Sequence, residues 1–268
     1  MTSAQTFTQV APGIWTATAE IWSSLTTAVV APDGTCLLVD PGITVAEVTA
    51  RAAETRRHGW RVTAGFATHP HWDHVLWHQD LPDVPRWATA AAVAAQEATR
   101  AADLVKAEDM APGHDPALFA RLTALPAGSD RLPWPGRDVV VVRHDGHAVG
   151  HAALVVPDAG VMLAGDMLSD REIPLLDTDA ADPIGDYRTA LDVLEQAATA
   201  YDVQVLVPGH GHVGDAADLR RRLDADRAYL DELASGRDPH DPRLADPWLA
   251  GEHRRHLERL RGGTPRDA

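Results

Sequence analysis

Six consecutive residues in the first third of the chain, His69-Pro70-His71-Trp72-Asp73-His74, constrain its fold and chemistry more than any other segment. They directly follow an apolar run that is typical of a buried strand. Alternate residues of an extended loop point the same way, so His69 and His71 can face one point while Asp73 and His74 face a second point nearby. Imidazole and carboxylate groups are together the ligands of zinc and related divalent metals. The motif therefore predicts a metal site where a strand ends in a loop.

Three further candidate ligands stand later in the chain, each at the boundary of a predicted strand. His151 stands where a hairpin begins, Asp166 ends the following strand, and His210 ends the last predicted strand. Each comes directly after a glycine, which lets the backbone approach a bound centre closely. With the first motif they supply enough donors for two metal ions.

These motifs, in this order from about residue 14 to about residue 219, resemble the metallo-β-lactamase superfamily. The resemblance implies a mixed α/β (α+β) fold, a four-layer αββα sandwich with its site at the sheet edge. It also implies a ligand set: His69, His71 and His151 on one divalent ion, Asp73, His74 and His210 on a second, and Asp166 between the two.

Three other polar residues are expected to support that ligand set. Asp40, at the end of an early strand, resembles the carboxylate with which the family orients a ligand imidazole. His147 and His212 each stand close to a ligand in the sequence. We expect both of them to be structural histidines that form hydrogen bonds.

The order of the elements indicates how the chain is organised. Strands come in two batches, each mixed with helices, which favours two packed sheets with helices outside. We expect one domain over residues 1–268, with a helical insertion at about 89–135 and a helical tail at about 237–268.

Charge and composition exclude several partners. The chain has 24 Lys+Arg against 39 Asp+Glu, a net charge of −15 that repels nucleic acid. It lacks an apolar run of the ~20 residues that cross a membrane, and its single cysteine and polar N-terminus favour a cytoplasmic location. A small-molecule substrate is the expected partner, and assembly into a homo-oligomer is left open.

The resemblance implies a hydrolase with two divalent metal ions, zinc first and iron or manganese as alternatives. Two such ions about 3.5–4 Å apart can share a hydroxide, because they lower the pKa of the water between them towards about 7. We expect this metal-bridged hydroxide to attack a small ester, lactone or thioester. Asp73 is the expected catalytic residue, which holds the hydroxide and passes a proton to the leaving group. The alternative on the same fold is an iron-dependent oxidoreductase similar to sulfur dioxygenases.

Four residues are candidates for the substrate pocket. Quorum-quenching lactonases of the family resemble this chain in length and commonly place a tyrosine shortly after the bridging aspartate, where this chain has Ser169. Tyr187, further along, is a candidate substitute. Trp72 and Trp77 are candidates for an apolar wall, with ordinary core packing as the equal alternative.

Overall fold

The computed structural model describes residues 6–262, and its strands form two sheets. The first sheet has seven strands that neighbour one another in chain order. They are β1 (Thr8–Ala11), β2 (Ile14–Thr18), β3 (Leu25–Val30), β4 (Thr35–Val39), β5 (Arg61–Phe66), β6 (Arg86–Ala88) and β7 (Thr123–Ala124). The strands β1 to β4 pair antiparallel, whereas β4 to β7 pair parallel.

The second sheet has five strands in the spatial order β12-β11-β10-β9-β8. They are β8 (Val140–Arg143), β9 (Ala152–Val156), β10 (Val161–Gly165), β11 (Val205–Pro208) and β12 (Gly214–Asp215). Only the β10–β11 pair is parallel. The turn between β9 and β10 is a short 3-10 segment, Pro157–Ala159, closed by Gly160 at φ +61°. This confirms the hairpin that the Pro-Asp-Ala-Gly sequence predicts.

Five α-helices complete the described residues. They are α1 (Val45–Arg57), α2 (Ala90–Met110), α3 (Pro183–Ala200), α4 (Ala216–Ala234) and α5 (Pro247–Gly262). Helix α1 begins with a capping box, in which the side chains of Thr44 and Glu47 each accept the other's backbone N–H. Within residues 6–262, no helix has both the length and the apolar character that crossing a bilayer requires.

The predicted insertion and tail are helical only in part. Helix α2 ends at Met110, and irregular chain with the short β7 fills most of the remainder up to residue 135. The cause is local, because Pro112, Gly113 and Pro116 cannot continue a helix. The tail contains a 3-10 turn and α5, while residues 1–5 and 263–268 lie outside the described part of the chain.

The two sheets pack face to face, and the helices cover their outer faces. Strand β4 shows how one segment serves two layers, because successive side chains of a strand point to opposite faces. Leu37 and Val39 belong to the apolar cluster between the sheets, together with Leu154 of β9. Cys36 and Leu38 belong to a second cluster with residues of α1. Helices α3, α4 and α5 cover the other sheet, so the predicted αββα order is confirmed.

Candidate metal centre

Seven side chains from loops of both sheets meet beside the ends of β4, β5, β10 and β11. They form two groups whose donor atoms lie within 4.8 Å of one another: His69, His71, His147 and Asp166, and Asp73, His74 and His210. Asp166 links the groups, because its Oδ2 lies 3.5 Å from Nε2 of His69 and 3.1 Å from Nε2 of His210. The centre therefore lies at the seam between the two sheets.

Hydrogen bonds on the outer side of each ring set which nitrogen faces this centre. Nδ1 of His147 lies 2.8 Å from the carbonyl oxygen of Leu175, and Nδ1 of His74 lies 2.9 Å from Oδ2 of Asp40. A carbonyl or carboxylate oxygen can only accept, so each Nδ1 carries a proton and each Nε2 is the nitrogen that faces inward. The same reasoning holds for His69, whose Nδ1 is 3.0 Å from a Thr68 hydroxyl that already donates to Asp40.

The inward nitrogen atoms crowd one another, which tests whether the residues fit a metal. Nδ1 of His71 lies 3.1 Å from Nε2 of His69 and 3.0 Å from Nε2 of His147. One N–H at most can lie between these three atoms if the rings are neutral, so hydrogen bonds cannot satisfy all of them. Oδ1 of Asp166 is also buried and lacks a hydrogen-bond partner in the described part of the chain. Such converging lone pairs and carboxylate oxygens fit divalent cations.

Asp40 lies where the sequence analysis places it, behind the donors. Its Oδ2 accepts hydrogen bonds from Nδ1 of His74 and from Oγ1 of Thr68, and its Oδ1 accepts one from the Thr68 backbone. The residue has a left-handed backbone, at φ +47°, directly after β4. This carboxylate holds His74 in a single orientation and tautomer.

Burial and charge separate the pKa values of the two groups of histidines. Burial lowers the pKa of His69 well below its ordinary value. Burial opposes the charge of His74 too, but the carboxylates of Asp166, Asp73 and Asp40 outweigh burial and raise its pKa well above the ordinary value. Since a metal ligand must be deprotonated, a cation at His74 would displace a proton.

His147 lies in the donor set where the sequence analysis expects His151, which corrects that expectation. Nε2 of His151 accepts a hydrogen bond of 3.2 Å from the backbone N–H of Asp166, so its lone pair is already used. Its fully buried ring stacks between the rings of His69 and His144, with ring centres 4.9 and 4.4 Å away. Gly150, at φ +74°, turns the chain between the two histidines and leaves only His147 facing the centre.

The structure also places four other candidate residues. His212 forms a hydrogen bond as expected, but its side chain is exposed and its partner is Asp170, at 2.8 Å, which is not one of the seven donor residues. Trp77 is buried in the core beneath Arg86, which is the packing alternative given for it. Tyr187 is buried in the apolar cluster that contains residues of α3 and does not line the cavity above the donors. Ser169 donates to the carbonyl oxygen of His210 at 2.8 Å and does not line the cavity above the donors.

A cavity of about 720 Å³ opens above the donors. Trp72 lines it, as expected, together with Trp22 and Trp248, which the sequence analysis misses. Glu172 lines it as well, and one of its carboxylate oxygens lies within 4.8 Å of donor atoms of Asp166 and His210. Burial raises the pKa of Glu172 to about 7, a shift that any nearby cation would oppose. These residues come from irregular segments and a distant helix, where no periodic pattern points to them.

A short loop before β3 positions His210, and this too escapes the sequence analysis. Nδ1 of His210 lies 3.0 Å from the hydroxyl of Ser24 and 3.3 Å from the carbonyl oxygen of Trp22. The hydroxyl of Ser24 donates to the Ile21 carbonyl and is therefore free only to accept from His210. Here a serine and a carbonyl do for His210 what Asp40 does for His74.

Comparisons with known proteins agree with this architecture. The family model of the metallo-beta-lactamase superfamily matches residues 22–210, more than half of the chain. A beta-lactamase domain protein from Burkholderia ambifaria superimposes with a TM-score of 0.65 at 21% identity, over 88% of this chain and 78% of that chain. DIM-1 metallo-beta-lactamase superimposes with a TM-score of 0.63 at 17% identity, over 83% of this chain and 96% of its own.

A metallo-beta-lactamase from Pontibacter korlensis gives a TM-score of 0.58 at 18% identity, over 82% and 97% of the two chains. The search of curated proteins found no match in sequence. At such low identity the solved structures show a shared fold, whereas the family match extends through the donor residues from His69 to His210. The chain therefore belongs to the metallo-beta-lactamase superfamily, whose members are typically metal-dependent hydrolases.

Proposed function

We propose that this protein is a hydrolase that uses two divalent metal ions, zinc in the first instance, to cleave a small ester, lactone or thioester. The observation that carries this proposal is the pair of donor groups joined at Asp166 on the floor of one cavity. The volume of that cavity, about 720 Å³, is in the range of small-molecule sites.

Each donor group has a separate role in this proposal. His69, His71 and His147 would hold one ion, Asp73, His74 and His210 would hold the other, and Asp166 would contact both. Bound there, divalent ions would polarise the substrate carbonyl and supply a nucleophile from water at neutral pH.

Asp73 is the residue that we assign to proton transfer. It lines the cavity, and its Oδ2 lies 3.3 Å from Nε2 of His74 and 3.5 Å from Nε2 of His210. Burial opposes the charge of Asp73, but His74 and His210 outweigh burial and lower the pKa of this carboxyl below its usual range. An ionised carboxylate at this point can accept a proton from water and deliver it to the leaving group.

The first test is the metal content of protein purified without a His-tag and without added metal, measured by plasma mass spectrometry. We expect about two zinc ions per chain and turnover of at least one member of an ester, lactone and thioester panel. One iron per chain, with oxygen consumed in the presence of a persulfide, would instead favour the oxidoreductase. Protein that contains no metal and takes up none on titration would overturn the proposal.

A further inference from the structure

We propose that the cavity selects substrates that carry an ammonium group, held between the rings of Trp22 and Trp248 and the carboxylate of Glu172. This inference rests on the proposed function only in that the ammonium group belongs to the hydrolysed substrate. Alkylammonium ions are the chemical class that is attracted both to the faces of aromatic rings and to a carboxylate.

Three tryptophan rings from distant parts of the chain form one wall of the cavity. The ring of Trp22 lies 5.8 Å from that of Trp72 and stacks on that of Trp248 at 6.4 Å, with 21° between the planes. Trp22 and Trp248 are 36% and 44% exposed, although large apolar side chains are normally buried. Their faces are thus available to a ligand.

This wall stands directly beside the donor centre. The ring of Trp22 lies 6.2 Å from the ring of His210, and its carbonyl oxygen lies 3.3 Å from Nδ1 of the same histidine. Trp22 also holds a left-handed backbone conformation, at φ +54°, which is unusual for a bulky residue. A group that binds against Trp22 would therefore be close to the reacting bond.

Glu172 lies close to His210, with a carboxylate oxygen within 4.8 Å of a donor atom of that histidine, and its backbone is held by two hydrogen bonds. Its backbone N–H donates to Oγ of Ser169 at 3.0 Å, and its carbonyl oxygen accepts from Nη1 of Arg243 at 2.7 Å. Within residues 6–262, no lysine or arginine forms an ion pair with its carboxylate. The chain thus places in the cavity a carboxylate that is anchored through its backbone and forms no ion pair with lysine or arginine in the described residues.

Among the described residues, the lysine and arginine side chains that line the cavity are already paired with carboxylates. They are Lys106 and Arg255, which are paired with Asp103 and Glu252 respectively. The further carboxylates of Asp177 and Asp179 line the same cavity, and Asp179 faces Arg259 at 3.7 Å. This excess of acidic groups disfavours substrates that carry a negative charge and favours substrates that carry a positive charge.

Calorimetric titration of the metal-loaded protein tests the inference without turnover. The probes are choline and 3,3-dimethylbutan-1-ol, which has the same shape with carbon in place of the charged nitrogen. We expect choline to bind about tenfold more tightly, a ratio in keeping with a desolvated cation–π contact. Trp248→Ala, at an exposed ring, should reduce that ratio several-fold, as should Glu172→Gln.

Glu97→Gln is the matched control, because it removes the same charge from an exposed position of α2 outside the cavity. We expect this variant to bind both probes as the unchanged protein does. Equal affinity of the unchanged protein for the two probes would overturn the inference. A loss of metal from Glu172→Gln would also overturn it, because that carboxylate would then be a metal ligand.

Hydrolysis of acetylthiocholine and of its uncharged analogue, 3,3-dimethylbutyl thioacetate, links the inference to catalysis. We expect kcat/KM to favour the cation about tenfold, and Glu172→Gln to remove most of that preference. Equal hydrolysis of both thioesters would contradict the inference and leave the hydrolase intact. Preferred binding of choline with no hydrolysis of either compound, nor of any other ester or lactone, would contradict the hydrolase and leave the cation site intact.

Discussion

At the scale of single residues, the outer hydrogen bond of each histidine decides whether it can be a ligand. His147 donates its Nδ1 proton to the Leu175 carbonyl and presents Nε2 to the centre. His151 instead uses Nε2 to accept the backbone N–H of Asp166. Two histidines four positions apart therefore have different roles, although both follow a glycine.

Alanine substitution of these two histidines should separate ligand from support. We expect His147→Ala to lose close to one metal ion per chain, because it removes a donor atom from the first group. His151→Ala should keep most of its metal, since that ring only packs behind His69. The measurement is metal content after dialysis, with circular dichroism to verify folding. If His151→Ala lost its metal and His147→Ala kept it, His151 would return to the ligand set.

Asp73→Asn tests the proton-transfer role. The amide keeps an oxygen that can face a cation but cannot accept a proton from water. We expect most of the metal to remain while kcat falls by roughly 100-fold or more, the usual contribution of general acid–base catalysis. Steady-state kinetics on the best panel substrate provide the measurement, and activity equal to that of the unchanged protein would exclude the role.

At the scale of elements, one arginine ties the loop after β10 to the C-terminal part of the chain. Nη1 of Arg243 lies 2.7 Å from Oδ1 of Asp226, and it also donates to the carbonyl oxygens of Ser169 and Glu172. A second ion pair, to Asp241, measures 2.7 Å. The side chain of Asp226 is 1% exposed, and this ion pair is the main compensation for burying its charge.

Arg243→Ala should therefore be strongly destabilising. Removing one member of a buried ion pair leaves the other charge uncompensated, at a cost of about 3–5 kcal/mol in the free energy of unfolding. The control is Arg221→Ala, at the surface pair with Asp218, which should cost less than about 1 kcal/mol. Urea unfolding of both variants measures the two losses of stability. Similar midpoints would show that the ion pairs of Arg243 contribute little.

The attachment of α5 predicts a dependence of stability on pH. The hydroxyl of Tyr229 lies 3.0 Å from Nδ1 of His253 and 3.3 Å from Nδ1 of His256, and Nε2 of His256 accepts from the backbone of Leu176. Burial lowers the pKa of His256 to about 4 from its ordinary 6.5. The folded state thus favours the neutral ring, whereas the unfolded state takes up a proton once the pH falls below about 6.5.

The contribution of His256 to the free energy of unfolding should be fully present above pH 6.5 and should decline as the pH falls towards 4. At pH 5 the loss is about 2 kcal/mol relative to pH 7.5, by proton linkage. His256→Asn should remove this component, so the unchanged protein should lose more stability than the variant between the two pH values. Urea unfolding at both pH values measures the difference, and parallel losses would contradict the assignment.

At the scale of the whole molecule, the donor centre joins the two sheets. His69, His71 and His74 follow β5 of the first sheet, whereas Asp166 and His210 follow β10 and β11 of the second. A cation bound to all of them would connect both halves of the sandwich. Any ligand that binds only the folded state stabilises it in proportion to the logarithm of its concentration over its Kd.

Removal of metal should therefore lower the thermal stability of the whole chain. At a free metal concentration 100 times the Kd, linkage contributes about 2.7 kcal/mol, which corresponds to roughly 5–10 °C in Tm. Calorimetry with and without a chelator measures the shift, and readdition of zinc should reverse it. An unchanged Tm after complete metal removal would show that the centre does not bind metal tightly.

Much of the fold could be predicted from the sequence because its signals are local. The short apolar run of β4, the capping box at Thr44 and the turn at Gly160 each depend on neighbouring residues alone. The helix α2 ends for an equally local reason, because Pro112 and Gly113 directly follow its C-terminal turn.

What the sequence by itself determined is the sandwich, the family and the donor residues whose spacing lies within one motif or at a strand end. Only the tertiary structure decided that His147 and not His151 faces the centre, that Ser24 holds His210, and that Trp22, Trp248 and Glu172 share one cavity. These relations join residues up to about two hundred positions apart through hydrogen bonds to loop carbonyls and contacts of irregular chain. Periodicity carries no information about such contacts, because they depend on how the sheets and helices pack.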